Sequence, residues 1–159
     1  MIIKQLVDED FVNYKKPAMF IGFPSCTFKC EKECGVRCCQ NSALAQSSNI
    51  DVPIGVLVDR YLKNPITSAI VCGGLEPFDS WNDLYELIFH IRSQGCPCDV
   101  VIYTGYNEDE IPNEYIKTLS ELHHIIIKFG RFIPNQNSHY DDVLGVMLAS
   151  PNQYAKVVS

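Results

Sequence analysis

The most constraining stretch of this sequence runs from Phe23 to Asn41, FPSCTFKCEKECGVRCCQN, directly after the strand-like run Pro17 to Gly22. It holds Cys26, Cys30, Cys34, Cys38 and Cys39, so five of the eight cysteines share one loop. Crowded thiolates repel one another unless a metal or disulfide bonds neutralise them. The stretch therefore demands a chemical explanation, and the choice lies between metals and pairing.

Composition narrows that choice. At 159 residues the chain suits a single domain, of a size that buries roughly 70% of its unfolded surface. An apolar content of 47% excludes a disordered or fibrous chain. A net charge of −6 argues against nucleic acid as a partner, since a basic stripe would be needed. The longest apolar run falls far short of the ~20 residues of a membrane span, so no membrane is expected either. The opening residues, MIIKQLVDED, carry an acidic run where a signal peptide has an apolar core. The expectation is a cytoplasmic protein, and clustered cytoplasmic cysteines favour metal over disulfides.

The rest of the chain alternates strands with helices. Ile2 to Val7 and Phe11 to Tyr14 read as two short strands about an Asp8-Glu9-Asp10 turn, and AMFIGF, Ala18 to Phe23, as a buried strand. Ser42 to Ala45 suits one helical turn. Asp51 and Pro53 open a helix whose Ile54, Leu57, Val58, Tyr61 and Leu62 share one face, and Asn64-Pro65 closes it. Ser68 to Cys72 is a strand running into Gly73-Gly74. Asp79 or Ser80 then caps a helix with Leu84, Leu87, Ile88 and Ile91 inward and Gly95 as its stop. A strand at Asp99 to Thr104, a helix at Asn113 to His123 and a strand at His124 to Lys128 follow. Val143 to Leu148 and Tyr154 to Val158 read as a terminal strand pair about Pro151. This order predicts an α/β fold with a mostly parallel sheet and right-handed crossovers.

In such a sheet the cysteine loop, Gly73 to Pro77 and Gly105-Tyr106 all follow strands. They therefore share the carboxyl edge, where ligands bind. A structural zinc site draws on two close ligand pairs set apart, and here there is one compact group. Thiolates also hold iron–sulfur clusters, and three of them leave one iron with an open position.

These residues carry a resemblance. Cys26-Thr27-Phe28-Lys29-Cys30 and Cys39-Gln40-Asn41 resemble the two ends of the C-x3-C-x2-C motif of radical S-adenosylmethionine proteins. Within that superfamily, the chain is most similar to the activating proteins of anaerobic ribonucleoside-triphosphate reductases. Gly73-Gly74-Leu75-Glu76-Pro77 resembles the Gly-Gly-acid-Pro motif with one leucine inserted, and Tyr103-Thr104-Gly105-Tyr106 matches a run in the activating proteins. The likeness extends to about Gly130. It departs from the motif at Glu31 to Cys38, which separate Cys30 from Cys39 where the family has two residues.

The resemblance implies a partial (β/α) barrel over residues 1–159, with a short N-terminal extension. It implies a [4Fe-4S] cluster on Cys26, Cys30 and Cys39, with Cys38 as the competing third ligand and Cys34 behind it. It implies S-adenosyl-L-methionine bound by Gln40, Asn41, Gly73, Gly74, Glu76 and Thr104, with Glu76 accepting from the ammonium group. Lys128 or Arg131 would meet the methionyl carboxylate. No catalytic side chain is implied beyond the cluster. The implied partners are an anaerobic ribonucleoside-triphosphate reductase, which receives a glycyl radical, and reduced flavodoxin or ferredoxin as electron donor. A radical enzyme for a small molecule, and a non-catalytic iron–sulfur or zinc module, are the alternatives.

Taken singly, each feature has a plainer reading. Gly-Gly-x-Glu-Pro is a common turn and Tyr103 to Tyr106 a strand end. Cys72, Cys96 and Cys98 suit small buried positions. One of His123 and His124 would face solvent, and Lys128 and Arg131 would be ordinary surface cations.

Overall fold

The structure, a computed structural model, describes residues 1–159. Its first elements are strands β1 (Ile2–Ile3), β2 (Gln5–Asp10) and β3 (Ala18–Phe23), then helices α1 (Lys29–Cys34) and α2 (Ser42–Gln46). Strand β4 (Ile50–Asp51), helix α3 (Ile54–Lys63), β5 (Ala69–Gly74), α4 (Trp81–Ser93) and β6 (Asp99–Tyr103) form the middle. The chain ends with α5 (Asn113–Glu121), β7 (Ile125–Phe129), β8 (His139–Asp141), β9 (Val146–Leu148) and β10 (Tyr154–Val157). No helix is long and apolar enough to cross a membrane.

Six strands form the main sheet in the order β10-β7-β6-β5-β3-β2. β3, β5, β6 and β7 are mutually parallel, with Ile21 opposite Cys72, Cys72 opposite Ile102 and Ile102 opposite Ile127. The outer strands β2 and β10 run antiparallel to their neighbours. The parallel strands therefore follow one another without a reversal, joined by segments that carry α3, α4 and α5.

Strand alternation sends successive side chains to opposite faces, and the two faces pack differently. Ile21, Cys72, Ile102 and Ile127 meet Leu57 of α3, Leu84, Leu87 and Ile88 of α4 and Leu119 of α5. Each such aliphatic side chain contributes roughly 1.5–3 kcal/mol when fully buried. The opposite face presents Ala69, Val71, Val101 and Ile126 to Tyr14, Leu144 and Leu148, so coil and hairpin cover it rather than helices. Phe20 and Tyr103 also pack on this second face, which stays open near the strands' carboxyl ends.

Several expectations need correction. Asp8-Glu9-Asp10 is no turn: it completes β2, an outer strand on which Asp8 and Glu9 reach water while Asp10 is buried, and Phe11 to Tyr14 is coil. Helix α1, inside the cysteine loop, was not expected. The C-terminal strands do not pair with each other, since β9 pairs with β8 while β10 adds to the main sheet beside β7. Helix α5 ends at Glu121, and His123 and His124 both take positive φ and both face solvent. Arg92 holds that reversal, donating from Nε to the Leu122 carbonyl at 2.7 Å and from Nη2 to that of His123 at 2.9 Å.

Candidate metal centre

A cleft of about 620 Å³ opens on the second face of the sheet, at the carboxyl ends of the parallel strands. Cys26, Cys30 and Cys39 line it, and Cys34 and Cys38 do not. The local fold explains the division. After β3 the chain reverses at Phe28, whose φ of 53° is costly for a bulky residue, and Cys30 then sits in the first turn of α1. The reversal aims the Phe28 amide at Cys26 Sγ, 3.2 Å away. Gly35, with φ 69°, ends α1, and the returning chain is held by the Cys39 amide donating to Glu31 Oε1 at 3.2 Å. Cys34 and Cys38 are left together on the inserted turn, their sulfurs 2.7 Å apart.

Neighbouring loops grip the ligand loop. The Thr27 amide donates to Asp79 Oδ2 at 2.8 Å, and the Tyr106 hydroxyl donates to Asp79 Oδ1 while standing 3.1 Å from Thr27 Oγ1. Lys29 Nζ lies 4.3 Å over the Tyr106 ring. Asp79 was expected as a helix cap and an acidic neighbour, and Tyr106 only as part of the turn after β6; their grip on the thiol loop is new. The Tyr-Thr-Gly-Tyr run was the one signal that could have found Tyr106.

Burial pushes the Cys26 thiol up to about 11, with the charges of Glu76, Asp79 and Cys30 adding to it against the Phe28 amide. Burial, then the charge of Cys39, raises Cys30. Burial, then Cys34 and after it the neighbouring Cys30, pushes Cys38 up to about 12. A metal must displace these protons to bind, and a cationic centre offsets the repulsion that holds them on. No group of three or more His, Cys, Asp or Glu side chains converges as ligands do around one ion. A four-iron cluster holds its ligand sulfurs wider apart than a single ion does. Three thiols on an open cleft fit a centre that keeps one position open better than the four-ligand closed tetrahedron of structural zinc.

The glycines opposite the thiols are required by protein packing. Gly74 has φ 84°, and a Cβ there would lie 2.8 Å from Gly22 Cα and 3.0 Å from Leu44 Cδ2. At Gly73 a Cβ would meet the Phe20 ring at 3.1 Å. The protein itself fills the space beside both glycines, and both also line the cleft. Asn41 Nδ2 donates to the Gly74 carbonyl at 2.6 Å, tying the end of the cysteine loop to β5, and Gln40 beside it is exposed at the cleft.

Glu76 is almost wholly buried and already well satisfied. Its Oε1 accepts from Thr104 Oγ1 at 2.8 Å and from the Phe78 amide at 3.2 Å, and Oε2 accepts from the Gly105 amide at 2.8 Å. Burial pushes the carboxyl up to about 7 against the pull of those donors. Glu76 braces the loops after β5 and β6, and it also lines the cleft, where an ammonium group would share a carboxylate that already takes three donors.

Lys128 and Arg131 are not surface cations. Both line the cleft and both are buried, at 6% and 4% exposure. Lys128 Nζ donates to the Gly130 carbonyl at 2.8 Å and lies 3.4 Å from that of Thr104, with no carboxylate bonded to it. Burial pulls it down to about 8, with Glu76 opposing. Arg131 is paired: Glu110 accepts from Nη2, and Nε lies 3.2 Å from Glu33 Oε1. Cys72 and Cys98 are buried and Cys96 half-buried, away from the cleft.

A thiol-lined cleft at the carboxyl edge of a parallel sheet defines the class as an α/β protein built to carry a metal centre. The family model described as a 4Fe-4S single cluster domain matches residues 18–153, and the chain belongs to that family. No curated protein matches the chain.

Proposed function

We propose that this iron–sulfur protein is a radical S-adenosylmethionine activase that places a glycyl radical on an anaerobic ribonucleoside-triphosphate reductase. When bound, its cluster and S-adenosylmethionine would supply a 5′-deoxyadenosyl radical by reductive cleavage. One observation carries the reading: Cys26, Cys30 and Cys39 face the same cleft as the buried, carboxylate-free cation Lys128. Three thiols leave an iron open for a chelating small molecule. Lys128 offers a remaining N–H to a carboxylate on that molecule, and burial strengthens such a pair.

The other residues position and shield. Asn41 and Gly74 fix the distance between the thiol loop and β5, while Glu76 and Thr104 hold the β6 loop in place. Gln40 supplies a polar side chain at the mouth. The one-directional order β3-β5-β6-β7 supports reading the sheet as an arc of a (β/α) barrel with the cleft on its inner face. Reduced flavodoxin or ferredoxin would provide the electron.

The test is anaerobic reconstitution with iron and sulfide, then reduction with S-adenosylmethionine present. Formation of 5′-deoxyadenosine supports the reading. A fully loaded cluster that never cleaves S-adenosylmethionine would leave a plain iron–sulfur module, which the family assignment equally accommodates.

A further inference from the structure

The inserted turn holds two thiols that the proposed cluster does not use. Cys34 ends α1, Gly35 reverses the chain at φ 69°, and Cys38 returns so that the sulfurs stand 2.7 Å apart. That is closer than unbonded sulfurs normally pack and longer than a disulfide bond of about 2.0 Å. Neither residue lines the cleft that receives Cys26, Cys30 and Cys39. Gly35, Val36 and Arg37, which join the pair, are all exposed, so a small reagent can reach the turn.

We infer that Cys34 and Cys38 form a reversible dithiol–disulfide pair, which a small-molecule disulfide oxidises and which keeps Cys38 out of the cluster's ligand set. One thiolate of the pair attacks a sulfur of the reagent, breaking its S–S bond and releasing one thiol. The second thiolate then displaces the remaining half of the reagent. The pair loses two electrons, the reagent gains them, and the two protons leave on the released thiols. The turn is local, so closing it requires no movement of Cys39, which Glu31 holds through its backbone amide. The second half of this inference rests on the three-thiol reading of the cluster.

The test uses the reconstituted, cluster-loaded full chain treated anaerobically with oxidised glutathione, followed by alkylation and peptide mass spectrometry. The expected result is one internal link, Cys34 to Cys38, with iron and sulfide contents unchanged and the link undone by a dithiol. Cys34→Ser should instead leave glutathione attached to Cys38. If Cys34 and Cys38 both remain alkylatable after treatment, the inference falls while the cluster assignment stands. A cluster that is lost on treatment of the native chain, and that the Cys34→Ser/Cys38→Ser double variant fails to load at all, would show Cys38 engaged with iron. That would overturn the separation of the pair from the cluster.

Discussion

At the scale of single residues, the thiols make the sharpest prediction. Cys26→Ala, Cys30→Ala and Cys39→Ala should each abolish the four-iron cluster, because each removes one sulfur facing the cleft. Cys34→Ala should leave iron content intact. Iron and acid-labile sulfide analysis decides the matter. Cluster loss in Cys38→Ala with retention in Cys39→Ala would shift the third ligand by one residue. Gly74 makes a second prediction, on stability. Its φ of 84° and the 2.8 Å approach to Gly22 Cα leave no room for a side chain. Gly74→Ala should cost about 1–3 kcal/mol from backbone strain, with more added by the collision. The measurement is the denaturation midpoint of the metal-free chain, and an unchanged midpoint would contradict the argument. That the position needed glycine was legible in the sequence, but the reason was not. A Gly-Gly pair after a strand announces a close approach, whereas its partner, Gly22 on the neighbouring strand, is set by sheet register. Lys128 makes the same point. IIIKF reads as a strand with one cation, and only the cover supplied by distant segments shows that this cation is buried.

At the scale of elements, what was legible is what local pattern determines. AMFIGF and DVVIY are short apolar runs that suit strands covered on both faces, and the amphipathic pattern of α3 and α4 follows one helical stripe. The acidic end of β2 was missed because an outer strand keeps one side in water, where Asp8 can pair with Arg60 of α3. The pairing of β10 with β7 was missed because it depends on contacts far apart in the chain. Helix α1 is held to the body of the fold from outside. Glu110, in a one-turn helix after β6, accepts from Arg131 beyond β7 and from Lys29 of α1 at 3.2 Å. The Arg131 bond holds the Glu110 carboxyl at about 2, below its ordinary 4.5. A carboxyl lowered by folding contributes stability that is fully present above about 4.5 and is lost as pH falls through about 2. Glu110→Gln should therefore cost about 1.5–3 kcal/mol at neutral pH. The gap from the native chain should close as pH falls from about 4.5 toward about 2, in denaturant melts at each pH. A gap that is constant with pH would mean that Glu110 acts through shape alone.

At the scale of the whole molecule, the charge and the cleft point in different directions, and the difference bears on what enters. The chain is acidic overall, at −6, yet the cleft carries Lys29, Lys128 and Arg131 against Asp10 and Glu76 beside its thiols. Its rim is apolar, with Val12 and Met147 at 73% and 58% exposure. Such a mouth favours a chain segment that is neutral and unbranched at its tip over a large cationic partner surface. Glycine at that tip suits hydrogen abstraction, because no side chain blocks close approach or planarity at the α-carbon. On the proposed activase reading, the expected result is a doublet glycyl signal, by electron paramagnetic resonance, when the loaded protein is mixed anaerobically with an anaerobic ribonucleoside-triphosphate reductase, reductant and S-adenosylmethionine. The signal should vanish when the partner's glycine is changed to alanine. Val12→Glu and Met147→Glu should each weaken the complex about tenfold or more, read by calorimetric titration of the two proteins, since each puts a charge on an apolar rim that docking would desolvate. Their iron content should match that of the native chain, because neither residue supplies a thiol or belongs to the thiol loop. Tight binding by both variants would move the docking surface elsewhere. Brisk 5′-deoxyadenosine formation with no radical on the reductase would point instead to a small molecule as the substrate of the same cleft.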